Sequence, residues 1–465
     1  MWRNPSYSVF IIIFLALASF AKGVPIQDKL EDGLFLGYGP DKTIHIISEV
    51  PYVSQETDFY CTYACPTMIL KYYGCDTNIY EVLFSSGAGY SVVYSHPIVK
   101  RFIISCVGTS NWEADRRFLG SLFGLSYEEY SFLQYSLSEQ QCWEAYWEKI
   151  KEHVSNDTPI ITIVDPSALS SVQSAIQQML GVPDMIWDRI PAWAFRMFPS
   201  TMTHMIVVVG YNEENGTICY HDPSTVLLGD ASFGTYAWMN LSDFQRSMQD
   251  LSSVSSFAYL VGVFKDSGSP RYNQEQRFSL AQCRNLEKMQ GNPASYDERI
   301  LFTWNVSDLG INGLKQLYAD LGTGIQHRPT TIILYKLLSS ILFYSLSYKV
   351  YRFFDRFSPE ILNLSDFNEQ MNYLHQLSIE KRDVSNWLSN HSGSLMNESL
   401  KMICSHDASL LKNESNVCKL LAENFSIFLQ KGLWIRHTKA LDITNNMQIL
   451  VSLMIAIEES IIDGK

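Results

Sequence analysis

Gln55 lies shortly ahead of Cys61, and far along the chain come His204 and Asp222. These four residue types can form one reactive centre. A thiolate attacks a carbonyl carbon, an imidazole holds it ionised and moves its proton, a carboxylate orients the imidazole, and an amide donates to the oxyanion formed on attack. The stretch Gln55-Glu-Thr-Asp-Phe-Tyr-Cys61 runs into an apolar segment, so Cys61 is expected to open a helix, where a thiol ionises more readily. The Gln55 amide, turned back, then joins the Cys61 N–H as an oxyanion donor. His204 heads a β-branched run, Met205 to Tyr211, and a second run, Thr217 to Tyr220, follows the turn Asn-Glu-Glu-Asn-Gly. If Tyr211 opposes Thr217, His204 falls nearly opposite Ser224 and diagonal to Asp222. Diagonal neighbours lie about 7–8 Å apart at Cα, which an imidazole and a carboxylate can close. His221 competes for the part of base, but alternation turns it to the face opposite Asp222.

Other readings of the same residues are weaker. A cysteine in an oxidising compartment is usually half of a disulfide, and Cys61 bridged to Cys65 or Cys75 would leave a non-catalytic binding protein with the same fold. Cys61 and Cys65, one helical turn apart, could join His204 on zinc, yet a structural zinc site wants a second close pair of ligands. The chain offers none, nor a P-loop or dinucleotide fingerprint, so no metal or cofactor is expected. A formal charge of −13 lacks the basic footprint of a nucleic-acid partner.

The elements that must position these residues are legible in outline. Met68 to Tyr73 reads as an apolar helix closed by Gly74. Pro66 inside the expected Cys61 helix predicts that the helix starts late or kinks. Thr43 to Ile47 is a β-branched run for a sheet edge, Pro159 to Val164 a buried strand, and Phe257 to Phe264 a last strand. Between Gly108 and Lys151 the spacing is helical, and Trp143, Tyr146 and Trp147 read as core rather than as a substrate platform. The polar stretch Lys265 to Pro270 marks a boundary. Residues 1–23 form a signal peptide, 24–48 a lead-in, 49–266 the catalytic domain, 267–271 a linker and 272–465 a helical domain without strands. The apolar run Thr331 to Tyr348 contains Lys336, which is costly in a bilayer, so it is expected as a buried helix.

At the N-terminus Arg3, the apolar run Val9 to Phe20 and the small residues near Ala21 to Gly23 form an export signal too short to span a membrane, with the mature chain starting near Val24. A secreted or lumenal address follows, extracellular or in a lysosome- or vacuole-like compartment, with no stable membrane span after cleavage. Sequons at Asn156, Asn215, Asn240, Asn305, Asn363, Asn390, Asn397, Asn413 and Asn424 fit a glycoprotein. Nine cysteines leave one over after pairing, taken to be Cys61. That leaves Cys65, Cys75, Cys106, Cys142 and Cys219 in front and Cys283, Cys404 and Cys418 behind. Cys404 and Cys418 are expected to staple a helical hairpin, and Cys283 to bridge the two regions.

The segments Val50-Pro-Tyr-Val-Ser-Gln55, Cys61-Thr-Tyr-Ala-Cys-Pro-Thr-Met-Ile-Leu-Lys-Tyr-Tyr-Gly74, His204-Met-Ile-Val-Val-Val-Gly-Tyr211 and Tyr220-His-Asp-Pro223 resemble the bacteriocin-processing, double-glycine leader peptidase superfamily of papain-like cysteine peptidases. They are also similar to a eukaryotic family labelled guanylyl cyclase, although no residues for nucleotide chemistry are present. The resemblance spans roughly residues 49 to 265. Thr62 and Thr203 stand where glycine is usual. It implies an α+β, papain-like cysteine peptidase fold, a helix carrying Cys and an antiparallel sheet carrying His and Asp, followed here by an all-α C-terminal domain. By it, Gln55 serves the oxyanion, Cys61 is the nucleophile, His204 the base and Asp222 the orienting acid. The expected activity is hydrolysis of a peptide or other amide, or acyl transfer to an amine by the same residues.

Overall fold

The computed structural model of the protein describes residues 43–57, 60–90, 92–95, 103–104, 113–133, 137–180, 203–224, 231–252, 258–292, 306–322, 362–431 and 437–464. The expected signal peptide, most of the lead-in, Cys106, the Asn305 sequon and the apolar run 331–348 lie outside them.

In chain order the elements are β1 (Ile44–Ile46), α1 (Cys61–Tyr72), α2 (Ile79–Ser85), β2 (Val93–Ser95), β3 (Ile103–Ile104), α3 (Glu113–Leu122), β4 (Leu125–Ser131), α4 (Glu139–Val154), β5 (Ile160–Val164), α5 (Ser170–Leu180), β6 (His204–Asn212), β7 (Thr217–His221), β8 (Ala237–Asn240), α6 (Leu241–Ser252), β9 (Leu260–Asp266), α7 (Gln274–Met289), β10 (Val306–Leu309), α8 (Ile311–Gly322), α9 (Leu362–Ser392), α10 (Glu398–Lys431) and α11 (His437–Asp463). This is a mixed α+β protein with an antiparallel sheet and a helical C-terminal region. Its chain divides into two compact units, the first from Met1–Ile69 and Glu129–Val263, the second from Leu70–Glu128 and Phe264–Lys465.

The first unit is built on a sheet of order β4-β9-β5-β6-β7-β8, with β1 also pairing β6. β5 and β6 are its centre. All five residues of β5 and the first eight of β6 are buried, and each fully buried Ile or Val contributes about 1.5–3 kcal/mol as an upper figure. Thr162 is the one polar residue in β5, and it is satisfied twice. Its hydroxyl donates to Leu260 O at 2.8 Å and meets Tyr146 Oη at 2.6 Å. The aromatic residues of α4 are core, as their spacing implies: Trp143 stacks on Trp147 at 6.0 Å and packs edge-on against Phe244. β1 pairs with β6 alone among the described strands. It takes up residues 210–212 of β6 beside the stretch paired by β5. A side chain at Gly210 would meet His45 O at 2.7 Å, so only glycine fits where the two backbones close up.

The second unit takes in residues that the sequence assigned to the catalytic domain. Phe84 of α2 stacks on Phe278 at 4.9 Å and on Trp387 at 5.0 Å. β2 pairs with both β10 and β3. These partners draw Leu70–Glu128 into the unit of Phe264–Lys465, so the units interleave in sequence and differ from the consecutive division at 267–271. β10 is also a strand where the sequence suggested none. The helices α8 to α11 share a core of Leu314, Leu317, Leu374, Leu377, Cys418, Leu421, Met447 and Val451.

No disulfide joins the described cysteines. The expected Cys404–Cys418 staple is ruled out by geometry: both lie on the single helix α10, about 21 Å apart at 1.5 Å per residue. A disulfide needs Cα atoms within about 7 Å.

Candidate active site

Cys61 is the first residue of α1. The helix is entered at Tyr60, whose carbonyl accepts from Tyr63 N at 3.0 Å and Ala64 N at 2.8 Å, so the first-turn N–H groups, that of Cys61 among them, point away from the helix's own carbonyls. Pro66 neither delays the start nor ends the helix, which runs unbroken to Tyr72. Its missing N–H costs one bond to the Thr62 carbonyl, and in the next position Thr67 Oγ1 donates to Tyr63 O at 2.7 Å. The far end closes as the sequence implied. Gly74 at φ +72° lets Gly74 N reach Lys71 O and Cys75 N reach Leu70 O, the paired bonds of a Schellman cap.

β6 brings His204 to this helix. Near the turn the register is one residue off the expected one, with Asn212 opposite Thr217 and Tyr211 opposite Ile218. A bulge between Val208 and Gly210 then shifts the pairing back, so that Val208 faces Tyr220 and Val207 faces His221. At the His204 end the expected register is thereby restored, and His204 Nε2 lies 2.8 Å from Asp222 Oδ1. Cys61 is a second hydrogen-bonding neighbour of the ring. Nε2 serves Asp222, which leaves Nδ1 as the ring nitrogen for the sulfur.

All of this is under cover: Cys61 is 5 % exposed, His204 7 %, Gln55 4 % and Asp222 0 %. Burial, the largest influence on His204, favours its neutral form, but Asp222 and Cys61 on its two sides outweigh it and raise the imidazole to about 10. Burial likewise works to raise Asp222, and is overcome by His204 and by the Ser171 and Ser224 hydroxyls, which hold the carboxyl below its ordinary value. The site is therefore arranged to hold His204 as an imidazolium beside the Asp222 carboxylate. At Cys75, Cys219 and Cys404 burial is the largest influence and pushes the thiols up, at Cys75 against the opposing pull of Arg271 and Arg277.

Residues 47–243 match the model of the Peptidase C39 like family. The segment is thus similar to a C39-like peptidase domain, a likeness that at the level of the family supports a cysteine peptidase-like domain. No curated protein matches the chain.

In the C39-like domain Gln55 is tied to the Asp222 loop, its N–H donating to Pro223 O at 2.9 Å. Its side-chain Oε1 is buried and meets no hydrogen-bond partner among the described residues. Tyr52 Oη donates to Asp222 O at 2.9 Å. His221, the rival base, has both nitrogens engaged by backbone: Nε2 to Val50 O at 3.0 Å and Nδ1 to Tyr236 N at 3.0 Å. It is a fully buried clamp holding the segment 50–55 to the sheet, and burial drives its pKa down to about 4. Cys65 donates its thiol proton to Met205 O at 3.3 Å, docking α1 onto the strand beside His204.

Two partners of Asp222 escaped the sequence reading. Ser224 N and Oγ donate to Oδ1 at 2.9 and 2.7 Å, an Asx-type turn that Asp222-Pro-Ser224 could have signalled. Ser171 Oγ donates to Oδ2 at 2.6 Å from a separate helix, and no local pattern marks it. Among the described residues no group of three His, Cys, Asp or Glu is placed to hold a metal ion, and no helix is long and apolar enough to cross a membrane.

Proposed function

We propose that the C39-like domain hydrolyses a peptide or other amide bond, with Cys61 as nucleophile, His204 as acid and base, Asp222 orienting the imidazole, and Gln55 with the Cys61 N–H binding the oxyanion. The observation that carries this reading is the His204 ring held between Cys61 and Asp222. The Cys61 thiolate adds to the carbonyl carbon, and the carbonyl oxygen becomes an oxyanion that the Gln55 amide and the Cys61 N–H can stabilise. Collapse breaks the C–N bond while His204 gives its proton to the departing amine, leaving a thioester on Cys61. His204, now neutral, takes a proton from water as the oxygen adds to the thioester, and the carboxylic acid leaves. An amine in place of that water would yield transfer through the same intermediate.

Brief iodoacetamide treatment of the native protein followed by peptide mass spectrometry tests this. Cys61 is expected to be alkylated faster than every other cysteine, and a screen of peptide and amide substrates should give turnover that Cys61→Ala abolishes. Recovery of Cys61 in a disulfide would remove the nucleophile and the proposal with it.

We also propose a secreted or lumenal address, supported by the basic and apolar N-terminus and the sequons. N-terminal sequencing of protein recovered from the medium of expressing eukaryotic cells should begin near Val24, and glycosidase treatment should lower its mass. An intact Met1 terminus on intracellular protein would overturn it.

A further inference from the structure

Asp222 is gripped at both oxygens. Oδ1 faces His204 Nε2 at 2.8 Å and also accepts from Ser224 N and Oγ. On the other oxygen, Ser171 Oγ donates at 2.6 Å, a short charge-assisted bond in a place where Asp222 is wholly buried and Ser171 2 % exposed. Ser171 is the second residue of α5, so its N–H has no acceptor within the helix. Tyr220 Oη accepts it at 3.2 Å and donates back to Ser171 Oγ at 3.1 Å. The neighbouring Ser170 Oγ lies 2.9 Å from the same Tyr220 Oη and donates to Trp238 O at 2.7 Å. α5 is thus fastened through Tyr220 to the strand that leads directly into Asp222.

We propose that Ser171 is a positioning residue for the reaction of Cys61. By holding Oδ2, its hydroxyl fixes the rotation of the Asp222 carboxylate so that Oδ1 meets His204 Nε2 squarely, and keeps that carboxylate ionised as counter-charge to the imidazolium. The inference rests on the reading of Cys61 and His204 as the reactive pair. A carboxylate that lost the Ser171 donor would gain a proton more easily and be free to turn, and both changes weaken the imidazolium and hence the thiolate beside it.

The test is the pH profile of iodoacetamide alkylation at Cys61 in the full-length protein, read by peptide mass spectrometry, with thermal unfolding recorded for each variant. Ser171→Ala is expected to move the acid limb of the profile upward by about one pH unit, the size of one hydrogen bond to a buried charge. Ser171→Thr, which keeps the hydroxyl, should follow the wild type. A helix-packing role would lower the melting temperature of Ser171→Ala and leave the limb in place, and that result overturns the inference. If Ser171→Ala shows no cooperative unfolding, Tyr220→Phe, which cuts the tether to Ser171, should shift the limb in the same direction, and an unshifted limb there overturns it equally. A wild-type profile indifferent to His204→Ala would instead overturn the underlying reading, and the inference with it.

Discussion

His204 carries the electrostatic logic of the site. An imidazole wholly removed from water would ordinarily be neutral at pH 7, yet its two partners raise it to about 10. Because that value lies above the unfolded one of about 6.5, the stabilisation from the imidazolium is complete below about pH 6.5 and is lost as the pH rises towards 10. The chemistry follows the same proton. Hydrolysis should fall as the pH passes about 10, where His204 can no longer protonate the leaving amine, whereas alkylation of Cys61, which needs only the thiolate, should persist. His204→Ala is expected to lower kcat/KM for an amide substrate by about a thousandfold or more. His221 gives the opposite case. Its pKa is depressed to about 4, so its contribution to stability is present above about 6.5 and lost as the pH falls through 4, about 3 kcal/mol in all. Urea unfolding of wild type between pH 7 and 4 should show that loss, and His221→Gln should flatten it while leaving Cys61 alkylation at pH 7 within a factor of a few.

At the scale of elements, α9, α10 and α11 share a buried ionic cluster. Lys381 Nζ lies 2.8 Å from Glu414 Oε2 and 3.6 Å from Glu458 Oε1, with all three side chains fully buried. One cation cannot neutralise two carboxylates. Burial, then repulsion from Glu414, pushes the Glu458 carboxyl well up, with Lys381 only partly opposing it, so the cluster balances by keeping a proton on Glu458. Lys381→Met would strand two acids in the core and should cost about 3–5 kcal/mol in thermal or urea unfolding. Glu458→Gln imitates the protonated acid and should be close to neutral near pH 4, below the unfolded pKa of about 4.3. Since the raised Glu458 stabilises the fold fully below its unfolded pKa and loses that contribution as the pH climbs through its folded one, the Gln variant should keep more of its stability than wild type under alkaline conditions. Equal pH dependence for the two proteins would contradict this charge assignment.

Over the whole molecule, the interleaving of the two units makes a cut at the sequence boundary harmful. A protein truncated after Asp266 would retain Leu70–Glu128 but lose the α7 and α9 surfaces against which Phe84 stacks and the β10 strand that pairs with β2. Such a fragment is expected to unfold at markedly lower temperature than the full chain and to be cleaved early by protease within residues 70–128. A fragment that melted like the parent would mean that these contacts contribute little to the fold.

Much of the candidate site is written locally. Cys61 at the mouth of an apolar helix, the Gly74 stop, the β-branched run after His204 and the turn before Thr217 are all set by propensity and periodicity, which act over a few residues. Gln55 and Asp222 were legible because their spacing to those elements is short. What stayed hidden depends on residues distant in sequence. Leu125-Ser-Tyr-Glu-Glu-Tyr-Ser131 forms β4 although its paired glutamates suit a helix, because pairing with β9 outweighs that preference. The bulge at Val209 that returns β6 to register, Ser171 on Asp222, and the recruitment of 70–128 to the C-terminal helices each arise from contacts between segments far apart in the chain. Sequence alone determined the candidate site residues and the kind of element that presents each one. Only the tertiary structure decided which nitrogen of His204 faces Asp222, what holds Asp222, and where one unit ends and the other begins, since those outcomes follow from packing of surfaces that no short window of sequence contains.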